Sequence, residues 1–117
     1  MLTFETVGES EPLVLVHGLG GTARSWDLVV DPLRKHRRLL LLNLPGHGGS
    51  PATVATSTFD GMVQSVEKFL DSEDLNLPDI VGSSLGGRIV LELARRGRVR
   101  SAIALDPGGF WKGWEAN

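Results

Sequence analysis

Three clusters of glycine, at positions 18–21, 46–49 and 82–87, each follow closely on a short apolar run, and this pairing constrains the fold more than any other feature. Leu13 to Val16, Leu39 to Leu42 and the segment ending at Val81 are apolar without the alternation of a half-exposed strand. Continuous apolar runs of this length are what strands covered on both faces require. Glycine clusters mark tight turns or backbone brought close to something else. In open parallel sheets the ligand site lies beyond the C-terminal strand ends. The three clusters therefore predict both the sheet and the end of it that carries chemistry.

The segments between the runs read as helices. Leu2 to Thr6 is expected as a first strand and Gly8 to Pro12 as a turn. Ser25 is expected to cap a helix to about Lys35 with Trp26, Val29, Val30 and Leu33 on one face, and Pro32 to kink or shorten it. Arg38 to Leu42 is the next strand, followed by a Gly- and Pro-rich loop from Asn43 to Ser57. Thr58 is expected to cap a helix to about Leu70, with Met62, Val66, Phe69 and Leu70 at helical spacing. Leu77 to Val81 leads into Gly82 as a strand, Ser84 to Arg96 is a helix stopped by Gly97, and Val99 to Leu105 is a last strand. Strands alternating with helices specify an α/β class, a mostly parallel sheet with helices on both faces, in a single domain over 1–117.

Composition removes several function classes. With 12 basic and 14 acidic residues the formal charge is -2, so nothing favours nucleic acid or an anionic membrane as partner. The absence of cysteine excludes disulfides, thiolate metal sites and a cysteine nucleophile. No apolar run has the length of a membrane span, and the N-terminus lacks the pattern of a secretory leader. A soluble cytoplasmic protein without metal or cofactor is the expectation.

The chemistry concentrates at the glycine clusters. Gly82-Ser83-Ser84-Leu85-Gly86 fits G-x-S-x-G, between an apolar strand and an amphipathic helix. In that context the central serine, Ser84, sits on a strained strand-to-helix turn with its hydroxyl exposed, and Gly82 and Gly86 avoid clashes in the bend. The helix behind it offers free N–H groups and a favourable dipole for developing negative charge. The plainer alternative is a glycine-rich turn with a capping serine. His17-Gly18-Leu19-Gly20-Gly21 also follows a strand, and its backbone N–H groups can face an oxyanion. The donors expected are the N–H groups of Leu19 and Leu85. His17 and Gly18 are expected to be structural, with His17 a hydrogen-bonded brace. In Asn43-Leu44-Pro45-Gly46-His47-Gly48-Gly49-Ser50, Asn43 and Ser50 can brace the loop, and His47 reads as an exposed loop residue without a catalytic part. A competing motif is Gly18-Leu19-Gly20-Gly21-Thr22-Ala23, which fits the dinucleotide fingerprint G-x-G-x-x-A, but Asn43 ends the next strand where an acid is needed.

Taken together, H-G-x-x-G from His17, N-L-P-G-H-G-G-S from Asn43 and V-G-S-S-L-G-G from Val81 resemble the α/β-hydrolase superfamily in order and separation. Asn43 stands where that family often has aspartate, and Trp26 where many members carry an aromatic residue. The resemblance runs from about Leu13 to Gly109 and implies a partial α/β-hydrolase fold, a Ser-acid-His triad, an oxyanion hole and no cofactor. It implies acyl-transfer chemistry on a small-molecule ester, lactone, thioester or amide, with Ser84 as nucleophile.

The chain departs from the family after Ser84. No histidine follows it; His17, His36 and His47 all precede it. Asp106 is a candidate acid, with a turn aspartate before proline as the plainer reading. The expectation is a fragment, a truncated reading frame or half of a split protein, lacking the cap, the last strands and the base. Such a chain would be poorly active or a non-catalytic remnant. Its partners would be the missing C-terminal half or a second copy, because an open sheet edge and the aromatics Phe110, Trp111 and Trp114 would lack a partner surface.

Overall fold

The structure is a computed structural model that describes residues 1–107. Among these residues ten elements follow one another, and five of them form one sheet. The strands are β1 (Phe4–Val7), β2 (Pro12–Val16), β3 (Arg38–Leu42), β4 (Asp79–Ser83) and β5 (Ser101–Leu105), in the order β1-β3-β2-β4-β5. β1 runs antiparallel to β3, and every other pairing is parallel. The helices are α1 (Asp27–Arg34), α2 (Phe59–Ser72) and α3 (Leu85–Arg95). The expected class is therefore present: a mostly parallel sheet with helices on both faces.

The apolar runs are two-faced because both faces are covered. Val14, Val16, Leu40, Leu42 and Ile80 point to one side, into a core with α2 and α3 that includes Val63, Val66, Phe69, Ile89, Val90 and Leu93. Leu13, Leu15, Leu39 and Leu41 point to the other, against Trp26, Val30 and Leu33 of the α1 region. Alternate residues of a strand face opposite ways, so a strand between two helical layers must be apolar throughout.

Several expected boundaries shift. The first helix does not begin at Ser25. Thr22 is the cap of a short 3-10 turn over Ala23–Trp26, and Ser25 returns its side chain to the Thr22 N–H; α1 follows and ends at Arg34. The spacing of Trp26, Val30 and Leu33 survives, whereas Val29 is on the exposed side. Pro32 lies inside α1 without ending it, since the helix runs on to Arg34. In α2 the buried face includes Val63 and leaves Met62 half-buried; Thr58 caps it as expected, accepting from the Gly61 N–H. β4 starts at Asp79 rather than Leu77, because Leu77 takes a left-handed backbone (φ 51°) that no strand accommodates. β5 starts at Ser101. The expectation for Gly108, Gly109, Phe110, Trp111 and Trp114 lies outside the described residues.

β2 is the point where the chain reverses direction across the sheet. After β2 it crosses to β3 on one side; after β3 it crosses back to β4 on the other. Helices diverge from such a point and leave a crevice above the strand ends. Register brings the glycine-rich ends together there: Val16 pairs with Leu42 and Gly82, and Ser83 with Leu105. Among the described residues no helix is long and apolar enough to cross a membrane.

Candidate active site

Ser84 stands between β4 and α3 with φ 56° and ψ -119°. A positive φ is rare for a residue with a side chain and costs on the order of 1–3 kcal/mol. Two contacts hold it. Its N–H donates to the Leu105 carbonyl at 2.9 Å, and its own carbonyl accepts from the Arg88 N–H at 3.2 Å. Neighbouring glycines make the bend possible. A Cβ on Gly82 would overlap the Gly86 carbonyl, and one on Gly86 would overlap the Val16 carbonyl and stand 2.5 Å from that of His17. The first turn of α3 thus rests directly on the end of β2.

The Ser84 side chain is exposed and makes no capping hydrogen bond, so its hydroxyl is not consumed by the helix it precedes. The 17–21 loop faces it: a Cβ on Gly18 would lie 3.0 Å from the Ser84 Cβ and 3.6 Å from its Oγ. Leu85, the first residue of α3, has an N–H without an intrahelical acceptor. The Leu19 N–H has no hydrogen-bond partner among the described residues. Both expected donors therefore have unspent N–H groups among the described residues, Leu85 directly after the serine and Leu19 directly after the glycine that faces it. Beside them is a cleft of about 230 Å³ lined by Gly18, Leu19, Trp26 and Ser83 among others. The Trp26 indole N–H is buried there without an acceptor among the described residues. A larger depression, about 480 Å³ between Leu70, Asp74 and Gly97, holds no nucleophile and sits away from these strand ends.

The histidines are engaged elsewhere. His17 is fully buried; its Nδ1 faces the Gly18 carbonyl at 2.6 Å and its Nε2 accepts from the Leu44 N–H at 3.0 Å. Burial holds its pKa below the ordinary histidine value, partly opposed by the Gly18 carbonyl and assisted by neighbouring His47. His47 departs from the reading of an idle exposed residue. It is half-buried, its Nε2 accepts from the Gly20 N–H at 2.9 Å, and its Nδ1 faces the Pro45 carbonyl at 3.0 Å. The sequence signal for this was thin, because Gly20 and His47 are 27 residues apart.

Asn43 and Ser50 fasten the same end of the sheet. The Asn43 side chain accepts from the Ala23 N–H at 2.7 Å and donates to the Thr3 hydroxyl at 3.0 Å. An ionised aspartate there accepts only, so the amide supplies a donor that the acid lacks. Ser50 donates to the Asn43 carbonyl at 2.6 Å and accepts from the Thr3 N–H at 2.8 Å. Asp106 follows β5, exposed and with φ 46°, so β5 ends at a sharp bend near Ser84.

Sequence reasoning passed over Arg88. It is exposed one helical turn after Ser84, with its guanidinium 4.9 Å from the centre of the Phe59 ring, and it forms no ion pair among the described residues. The only sequence signal was its place in the first turn of the helix that follows the serine. The fingerprint Gly18 to Ala23 opens a single 3-10 turn rather than a long helix. No group of acidic and histidine side chains suited to a metal ion occurs among the described residues.

Residues 11–115 match the family model for the alpha/beta hydrolase fold. The chain belongs to the α/β-hydrolase fold family. Among the relatives of this α/β-hydrolase chain is the dihydrolipoyllysine-residue acetyltransferase component of the acetoin cleaving system of Cupriavidus necator. It is 34% identical over 105 residues, 88% of this chain and 28% of that protein. The 2-succinyl-6-hydroxy-2,4-cyclohexadiene-1-carboxylate synthase of Klebsiella pneumoniae is 35% identical over 97 residues, 83% of this chain and 38% of that protein. In structure, a marine microorganism esterase superposes with a TM-score of 0.81 at 29% identity, over 88% of this chain and 40% of its own. The chain thus spans roughly a quarter to two-fifths of the length of these relatives, whose family includes hydrolases and esterases.

Proposed function

We propose that this chain supplies the nucleophile and the oxyanion donors of a serine hydrolase acting on small ester-like substrates. The observation that carries the proposal is the strained, uncapped Ser84 facing Gly18 of the 17–21 loop. In the proposed step the Ser84 oxygen bonds to the substrate carbonyl carbon, and the hydroxyl proton passes to a base. The carbonyl oxygen takes the displaced electron pair and is held by the Leu19 and Leu85 N–H groups, each such donor being worth about 3–4 kcal/mol. Collapse expels the alcohol, thiol or amine, which takes the proton from the base; water then releases the acid by the reverse path.

No histidine among the described residues is placed to serve as that base. Both nitrogens of His17 and of His47 are already engaged, and His36 sits in the turn before β3, at the opposite end of the sheet. Arg88 adds a preference in substrate: an exposed guanidinium one turn from the nucleophile suits an acyl group that carries a carboxylate. An acyltransferase using the same serine intermediate is the nearest variant.

The test is covalent labelling. Incubated with a fluorophosphonate, the folded chain is expected to carry the adduct on Ser84, slowly alone and faster when imidazole supplies an external base. Ser84→Ala should carry none. A folded chain that never gains the adduct at Ser84, with or without imidazole, sinks the proposal and leaves the second reading, a non-catalytic member of the fold. That reading is favoured by the engagement of every histidine near the serine.

A further inference from the structure

The two histidines of the strand-end loops are wired into each other's loops. His17, in the 17–21 loop, accepts the Leu44 N–H of the 43–50 loop; His47, in the 43–50 loop, accepts the Gly20 N–H of the 17–21 loop. The ring centres lie 5.0 Å apart. In each ring the second nitrogen faces a carbonyl, Gly18 for His17 and Pro45 for His47. A ring nitrogen opposite a carbonyl carries the hydrogen, so both rings are the neutral Nδ1–H form with Nε2 as acceptor. A proton added at either Nε2 would turn that acceptor into a donor pointing at an N–H.

We propose that His17 and His47 form a proton-sensitive clamp on the 17–21 loop, in which a proton on His47 Nε2 releases Gly20 and with it the loop that carries the Leu19 N–H beside Ser84. The clamp deepens the serine hydrolase reading and rests on it, since the Leu19 N–H matters only as an oxyanion donor. The mechanical link is the peptide plane. The Gly18 carbonyl, held by His17 Nδ1 and by the Gly21 N–H at 3.0 Å, belongs to the same peptide group as the Leu19 N–H. In a trans peptide the two point in opposite directions, so gripping the carbonyl aims the N–H. On the other side of Leu19, His47 holds Gly20. The donor is bracketed by one histidine on each flank.

Few other charges act on the pair. The 17–21 and 43–50 loops contain no further titratable side chain, and Ser83, Ser84 and Leu85 at the α3 start contribute none. Arg24, in the 3-10 turn, is exposed and turned to Asp27 and Glu5; Asp106, beyond β5, is exposed. The His47 ring, 5.0 Å away, opposes a charge on His17. The lowered pKa of His17 agrees: its folded state favours the neutral ring. That contribution is complete above the unfolded histidine value, about 6.5, and is lost as pH falls below it toward the folded value.

The test needs no turnover. In the isotope-labelled chain, side-chain nitrogen shifts report which ring takes a proton, and amide exchange reports how firmly Gly20 and Leu44 are held. As pH is lowered from about 7.5, protection of Gly20, corrected for intrinsic exchange, should fall about five- to tenfold in step with protonation of the ring that holds it, the factor for one net hydrogen bond. In His47→Gln the side-chain carbonyl still accepts but does not titrate, so protection should persist and lose most of its pH dependence. In His47→Phe it should be low at every pH. The proposal is overturned if Gly20 protection stays constant while the His47 ring protonates, or if neither ring protonates before the chain unfolds in acid. Because the wild-type titration alone decides it, failure of a variant to fold does not rescue the idea. A chain that shows the coupling but never labels at Ser84 would keep the clamp and lose the hydrolase reading.

Discussion

At the scale of single residues, the site is a set of positions where the backbone does what side chains normally forbid. Ser84 holds φ 56° with a side chain that improves no packing there. Ser84→Gly should therefore stabilise the chain by about 1 kcal/mol, read as a higher urea midpoint, whereas Ser84→Ala should not. A stability cost borne only for the serine is what a functional position predicts, and a destabilised glycine variant would contradict it. Gly86→Ala should cost about 2–4 kcal/mol, because its Cβ meets fixed carbonyls of β2. Gly20→Ala meets no atom and faces only its φ of 82°, so a loss of about 1 kcal/mol is expected. Arg88→Gln should slow labelling by a phosphonate with a carboxylate arm about five- to tenfold relative to a neutral one, and equal rates would remove the acid preference. The glycine clusters made these positions readable in the sequence, since glycine gathered directly behind an apolar strand signals a backbone too tightly bent or too closely approached for a Cβ. His47 and Arg88 were not readable, because their meaning lies in partners 27 residues away and 29 residues away across the fold.

At the scale of elements, the strand ends opposite the site are fastened by one carboxylate. Asp79, first residue of β4, accepts from Arg37 just before β3 at 2.9 Å, and from Arg100 and Ser101 at the start of β5 at 3.0 and 2.6 Å. Those bonds, from Arg100 first, then Ser101 and Arg37, outweigh burial and hold its pKa well below the usual carboxylate range. A depressed carboxylate pKa means stability that is complete above the unfolded value, about 3.9, and lost as pH falls toward the folded value. Asp79→Asn should lower stability at pH 7 by about 1–2 kcal/mol, discounted because Arg100 is largely exposed. It should also flatten the loss of stability between about pH 4 and pH 2. Unchanged acid unfolding in the variant would show that the strands are not tied there. The strands themselves were legible because burial on both faces leaves an uninterrupted apolar run. The first helix was less so: Thr22 and Ser25 together form a capping box on the 3-10 turn that precedes it, so the capping residues did not mark where the α-helix begins. The start of β4 was misread for a similar reason, since Leu77 is apolar yet sits in a turn.

At the scale of the whole molecule, the two edges of the sheet differ among the described residues. β1 closes one edge by pairing antiparallel with β3, and its short length limits the exposed ladder. β5 closes nothing among the described residues: it pairs with β4 alone. Its inner residues, Ala102 and Ala104, pack toward the α3 core, while Ile103 and Leu105 on the other face are 56% and 46% exposed. The α1 layer covers the same face of β2 and β3 but not of β5. An edge strand that combines unpaired backbone with exposed β-branched and aliphatic side chains is a template for another strand. The chain is therefore expected to self-associate through β5, with sedimentation showing a mass that rises with concentration. Ile103→Lys places a charge on that face without touching the α3 core, so it should keep the circular dichroism spectrum and shift the population to monomer. If Ile103→Lys sediments like the wild type, association uses another surface; if the wild type is monomeric throughout, the β5 edge is not adhesive. The same edge adjoins the site, because Leu105 accepts the Ser84 N–H. Whatever covers β5 thus bears on the bend that holds the serine, and a monomerising variant should label at Ser84 more slowly or faster than the associated chain, not at the same rate.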